Sequence, residues 1–180
     1  MNIQWRALGL WFGFLAAFIV EGTLPFWFFP GEWSLRLSPH LVLIGVLFAG
    51  VLMNRYYALA LGLVFGLLQD VHYYGHMLGV HTFVMGLCGY LSGLALQRKF
   101  VTFFYLVSVA VVGSLFYDSL VYLCYLLFRV VREPFLWAFT HHIAPSMLLN
   151  AFLAVLLYLP VRQYMESMLP KKREEEPPLG

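Results

Sequence analysis

Charge is what this chain has least of. Asp, Glu, Lys and Arg make up 11% of its 180 residues, against roughly 25% in a soluble domain. A water-facing surface cannot be covered from that supply, so the chain reads as a polytopic membrane protein. The apolar runs also lack polar faces recurring at helical spacing, which excludes a soluble helical bundle. Cysteine is scarce: Cys88 and Cys124 each sit inside an apolar run, as small apolar residues rather than a disulfide framework. No small-x-small cleavage site follows the first apolar run and one basic residue, Arg6, precedes it, so that run is expected to be a retained helix. Catalytic signatures are missing too. There is no His-Glu-x-x-His element and no paired Glu-Glu within an apolar run, the "VGSLF" around Ser114 lacks the surroundings of an intramembrane serine protease, and Asp70 and Asp118 lie on different helices with no spacing of an aspartyl pair. No enzymatic activity, metal or cofactor is expected. The net charge of +2 points to no nucleic-acid partner.

What is present is apolar length. A span needs about 20 mostly apolar residues, with about 17 as the lower bound. Reading between charges gives six runs, approximately Ala7 to Phe28, Pro39 to Met53, Tyr56 to Val71, Leu78 to Leu96, Phe100 to Phe128 and Ile143 to Val161. The fold class expected is all-α, with six transmembrane helices in residues 1–169. The second and third runs are short and joined through Asn54 and Arg55, so they form a tight antiparallel hairpin. With six spans both termini share a side, and that side holds Arg6, Arg55, Arg98, Lys99, Arg162, Lys171, Lys172 and Arg173, which is 8 of the 11 basic residues. Basic residues favour the cytoplasmic side, so both termini are expected there. The tail 170–180, "PKKREEEPPLG", has nothing to bury and is expected to be disordered. Its basic block is suited to anionic lipid head groups or simply to solvent.

Three acids lie within or at the end of apolar runs, each closing a stripe spaced by four: Gly13, Ala17 and Glu21; Gly62, Gly66 and Asp70; Ala110, Ser114 and Asp118. Residues at i and i+4 share a helix face, and small residues there let helix backbones approach closely. Gly9 and Ala58 extend the first two stripes backward. At about 1.5 Å per residue, all three acids fall in the outer third of the membrane or at its outer interface. All six histidines lie in or beside the three outward connections. Intramembrane carboxylates usually face a bundle interior, so Glu21, Asp118 and Asn150 are candidate buried polar groups. Ordinary packing with interfacial acids and a shared inward polar pocket both fit the pattern.

The stretch "GLLQDVHYYGHMLGVH", Gly66 to His81, concentrates Asp70, three histidines and glycines between two apolar runs. His72 and His76 have i, i+4 spacing, and Asp70 and His81 could complete a metal set. Against that, Tyr73, Tyr74 and Gly75 favour an interfacial turn. The reading preferred is a shaped corner, with Asp70 accepting hydrogen bonds from amides of the turn that follows it and so fixing the angle between the third and fourth helices.

Over about residues 38 to 99 the sequence resembles the MreD family of bacterial rod shape-determining membrane proteins. The pattern is a glycine-spaced helix ending in Gly-Leu-x-Gln-Asp, a short glycine-containing turn, and a helix with Gly-Tyr-x-x-Gly. Here it falls on Gly62, Gly66, Leu67, Gln69, Asp70, Gly75, Gly79, Gly89, Tyr90 and Gly93. The preceding "SPHLVLIGVLFAGVLMNR" is similar to the family's second helix. The resemblance implies a noncatalytic scaffold of the cell-elongation machinery that helps direct lateral peptidoglycan synthesis. Its implied partner is an MreC-like bitopic membrane protein, and through it MreB filaments, the RodA glycosyltransferase and its transpeptidase partner. It also implies a fold like the substrate-binding subunits of energy-coupling-factor transporters. That supplies the alternative, a small-solute-binding transporter subunit. Gly9, Gly13 and Ala17 resemble the stripe those subunits use for docking, which makes them the expected partner-helix face. Glu21, Asp118 and Asn150 lining one aromatic-walled cavity would favour the solute.

Overall fold

A helix of only 12 residues is the one the others surround. Residues 41–52, LVLIGVLFAGVL, are apolar on every side, which suits either a protein core or a lipid-facing span; here the helix takes the core. In the computed structural model, which describes residues 3–28, 38–72, 77–95 and 102–168, the helices are α1 (Ile3–Phe28), α2 (Leu41–Leu52), α3 (Arg55–His72), α4 (Val80–Ala95), α5 (Phe103–Leu127), α6 (Phe135–Ala138) and α7 (Ala144–Met168). A π-helical turn, Phe139–Ile143, joins α6 to α7. The described residues contain no strand. Every residue of α2 except Val51 is buried, and α2 touches α1, α3, α4, α5 and α7.

Two helical stretches are clearly long and apolar enough to cross a membrane, the 25 residues Phe103–Leu127 and the 31 residues Phe135–Met165. Shorter apolar stretches are Leu8–Leu24, Leu41–Leu52 and Val80–Leu94. The surface is inverted relative to a soluble protein. Phe12, Phe83, Phe104, Leu148 and Phe152 are exposed, while Glu21, Gln69, Asp70 and Asn150 are buried. Apolar side chains outside and paired polar groups inside is the arrangement a lipid solvent selects, and the molecule is a membrane protein.

The second and third elements form the expected hairpin. Met53 and Asn54 alone separate α2 from α3, and Asn54 Oδ1 accepts the Tyr56 amide at 3.1 Å. The final rod departs from the expected bounds. It was expected to begin at Ile143, with His141 and His142 in a connection, but the chain is helical from Phe135. The π turn explains the difference. It inserts a residue into the helical course and so breaks the 3.6-residue rhythm, while Thr140, His141 and His142 read as polar loop. Tyr73, Tyr74, Gly75, His76 and the tail lie outside the described residues.

Candidate functional site

The α3–α4 seam is the most extensive helix contact in the molecule, and its glycines explain why. A Cβ on Gly62 would stand 2.6 Å from Met85 O, and one on Gly66 would stand 2.6 Å from Thr82 Cα. From the other side, a Cβ on Gly89 would stand 2.7 Å from Ala58 O, and one on Gly93 would stand 2.6 Å from Arg55 Cα. Both helices therefore contribute small residues to one backbone-to-backbone contact. Tyr90 lies at the end of the seam away from Asp70, its ring 6.2 Å from that of Tyr56 and 5.9 Å from the Arg55 guanidinium.

Asp70 closes the other end. Its Oδ2 accepts the Gly79 amide (3.0 Å), the Thr82 amide (2.9 Å) and the Thr82 hydroxyl (2.6 Å), and its Oδ1 accepts the His81 amide (3.1 Å). The first amides of α4 have no intrahelical acceptor, and a carboxylate at a helix N-terminus also meets the positive end of the macrodipole. Gly79 has φ +102°, a left-handed conformation that suits glycine.

The second cluster forms where α2 begins. Because α2 is short, its N-terminus opens inside the bundle, where His40 and Val42 are buried. Side chains from two other helices take its amides. Glu21 Oε2 from α1 accepts the Val42 amide at 2.9 Å, and Asn150 Oδ1 from α7 accepts the His40 amide at 2.8 Å. Asn150 Nδ2 donates to Ser38 O at 3.3 Å, and Ser146 Oγ accepts the Ser38 amide at 3.1 Å. Gln69 Nε2 donates to Glu21 Oε1 at 2.8 Å. His40 stands between two acids, its Nε2 2.9 Å from Asp118 Oδ1 and its Nδ1 3.9 Å from Glu21 Oε1. The Tyr117 hydroxyl links the clusters, 3.3 Å from Gln69 Oε1 and 2.6 Å from His81 Nδ1.

The three acids thus divide. Glu21 and Asp118 meet around His40, while Asp70 serves the α3–α4 corner. Glu21 and Asn150 are bonded to the backbone of the α2 entrance and do not line the large cavity at this end of the bundle; Asp118 does. His40, Tyr117 and Ser146 are among the members that the sequence reading did not single out. The available signal was weak: Tyr117 and Gln69 each directly precede an acid. Ser114 donates to Val111 O within its own helix at 3.0 Å. Among the described residues no group of three or more His, Cys, Asp and Glu is arranged to hold a metal ion.

The α1 stripe has a different environment. Leu10, Phe14 and Glu21 fix α1 to the bundle, Phe14 packing on Gly45 and on the Phe65 ring at 5.2 Å. Gly9, Gly13 and Ala17 line a groove of about 340 Å³ between α1 and α7. Gly9 faces the Tyr164 hydroxyl, whereas a Cβ on Gly13 would meet nothing within 4 Å.

Residues 3–168 match the sequence profile of the family described as rod shape-determining protein MreD. The chain is 28% identical over 140 residues to the rod shape-determining protein MreD of Bacillus subtilis (strain 168), covering 77% of this chain and 80% of that protein. No solved structure matches it. With a profile that runs through all the described helices, this chain belongs to the MreD family and has a role in cell shape.

Proposed function

We propose that the protein is a noncatalytic scaffold with six membrane spans and cytoplasmic termini. It binds the single transmembrane helix of an MreC-like partner, and through that partner it is coupled to MreB filaments, RodA and the associated transpeptidase that build lateral peptidoglycan. The observation that supports this reading most directly is the open α1–α7 groove. Helices associate in lipid through close packing rather than hydrophobic burial. A Cβ on Gly13, at the middle of the stripe, would meet nothing within 4 Å, while the faces of Gly62 and Gly66 are already occupied by α4.

Replacing Gly13 with Leu fills the groove without disturbing the fold. The variant is expected to melt in detergent as the wild type does and to lose co-purification with the partner by tenfold or more. Undiminished partner recovery from Gly13→Leu removes the groove from the interface. Orientation is checked separately by single-cysteine labelling in a background lacking Cys88 and Cys124. Positions 54, 99 and 175 should react from the cytoplasmic side and position 76 from the outer side. Labelling of position 76 only from the cytoplasm reverses the topology.

A further inference from the structure

A cavity of about 650 Å³ opens beside α5 at the end of the bundle that carries the polar clusters. Small-ligand sites run from about 300 to 1,000 Å³. Asp118 lines it, together with the rings of Tyr122, Tyr125 and Trp137 and, on the segment between α5 and α6, Arg132 and Glu133. The π turn forms another part of the wall, and π turns recur at functional sites.

Asp118 is incompletely used. Its Oδ1 is held by His40 Nε2 at 2.9 Å, while its Oδ2 is buried and has no hydrogen-bond partner among the described residues. Glu21, the other acid beside His40, has both oxygens taken by the Val42 and Gln69 amide groups. His40 carries at most one positive charge between two carboxylates, so the unfilled acceptor is the Asp118 oxygen. A carboxylate oxygen calls for a donor, and the neighbouring aromatic faces attract a cation in particular. Trp137 is held in place by its stack on His141, with ring centroids 4.6 Å apart and planes 11° apart. Arg132 adds one guanidinium to the same cavity, suited to an anionic group on the same ligand.

We propose that this cavity is a binding site for a zwitterion of the phosphoethanolamine type, its ammonium group meeting the Asp118 carboxylate among the aromatic rings and its phosphate meeting Arg132. The source is either the head group of an aminophospholipid or a free phosphoethanolamine compound. The site is separate from the α1–α7 groove, so its failure leaves the partner reading standing.

The full chain, reconstituted into nanodiscs with equal amounts of dioleoyl phosphatidylethanolamine and dioleoyl phosphatidylglycerol and then released for native mass spectrometry, should retain one phosphatidylethanolamine in preference to phosphatidylglycerol. Asp118→Asn keeps an acceptor for His40 and removes the charge; it should lower that retention at least tenfold. Trp137→Leu, at the wall, should lower it at least threefold, and this variant carries the test if Asp118→Asn fails to fold. In detergent, glycerophosphoethanolamine raising the wild-type melting temperature but not that of the variants supports the site and assigns it to a free head group. Retention of the lipid without such a shift supports the site and assigns it to the bilayer. Equal retention of the two lipids with no effect of glycerophosphoethanolamine overturns the proposal, and so does retention unchanged in the variants.

Discussion

Asp70→Ala is expected to lower the detergent melting temperature by about 10 °C and to impair partner assembly, while membrane insertion persists. The carboxylate accepts three amides and one hydroxyl at the start of α4. Each buried donor left without a partner costs about 1–3 kcal/mol. Water entering the vacated space recovers part of this, which leaves a loss of about 3 kcal/mol, and in a chain of this size 1 kcal/mol corresponds to about 2–4 °C. Asp70→Asn should lose less. Its carbonyl oxygen can take the Oδ2 position and keep three of the four bonds, while its amide faces only the His81 N–H. Ranking the three proteins by thermal unfolding checks this, and equal melting temperatures for wild type and Asp70→Ala rule out the carboxylate as the tie between α3 and α4.

Gly66→Leu is expected to be at least as damaging, for a steric rather than a polar reason. The added Cβ would lie 2.6 Å from Thr82 Cα and 2.7 Å from His81 O. Both obstacles are near-backbone or backbone atoms, so no side-chain rotation makes room. Overpacking typically costs about 1–3 kcal/mol, and this position belongs at the upper end because relief requires separating the two helices. That separation also draws Asp70 away from the amides it accepts, so the two defects reinforce each other. Low yield and a melting temperature depressed by about 10 °C or more are expected for Gly66→Leu, in contrast to the unchanged melting of Gly13→Leu. A Gly66→Leu protein as stable as wild type would mean that α3 and α4 are not in backbone contact there.

The corner and seam were legible because both depend on local rules. A spacing of four places residues on one helix face, a face of small residues permits close approach, and an acid before a glycine-containing turn meets the free amides of the next helix. Ala58, Gly62, Gly66 and Asp70 could therefore be read together. Residues 38–99 also carried the family pattern. The apolar runs fixed five of the six helical rods approximately, and the sixth was shortened in the reading because the π turn interrupts its rhythm with polar residues.

Other features had no local signature. Nothing in LVLIGVLFAGVL says that the run is enclosed by five other helices rather than facing lipid; apolar residues suit both surroundings. Once packing places that helix at the centre, its N-terminus lies inside, and only then do Glu21, His40 and Asn150 acquire their roles. Their hydrogen bonds join residues 21 to 110 positions apart, separations at which the sequence carries no address. The α1 stripe shows the same division within one helix: its spacing determines that Gly9 and Gly13 share a face, but tertiary packing decided that Gly9 meets Tyr164 while Gly13 is open. By itself the sequence determined a charge-poor helical membrane chain of the MreD family, with its small-residue faces and a capped corner, because composition and helical periodicity are properties of neighbouring residues. Only the tertiary structure decided which helix is central, which acids meet and which stripe remains open, because those follow from packing between segments distant along the chain.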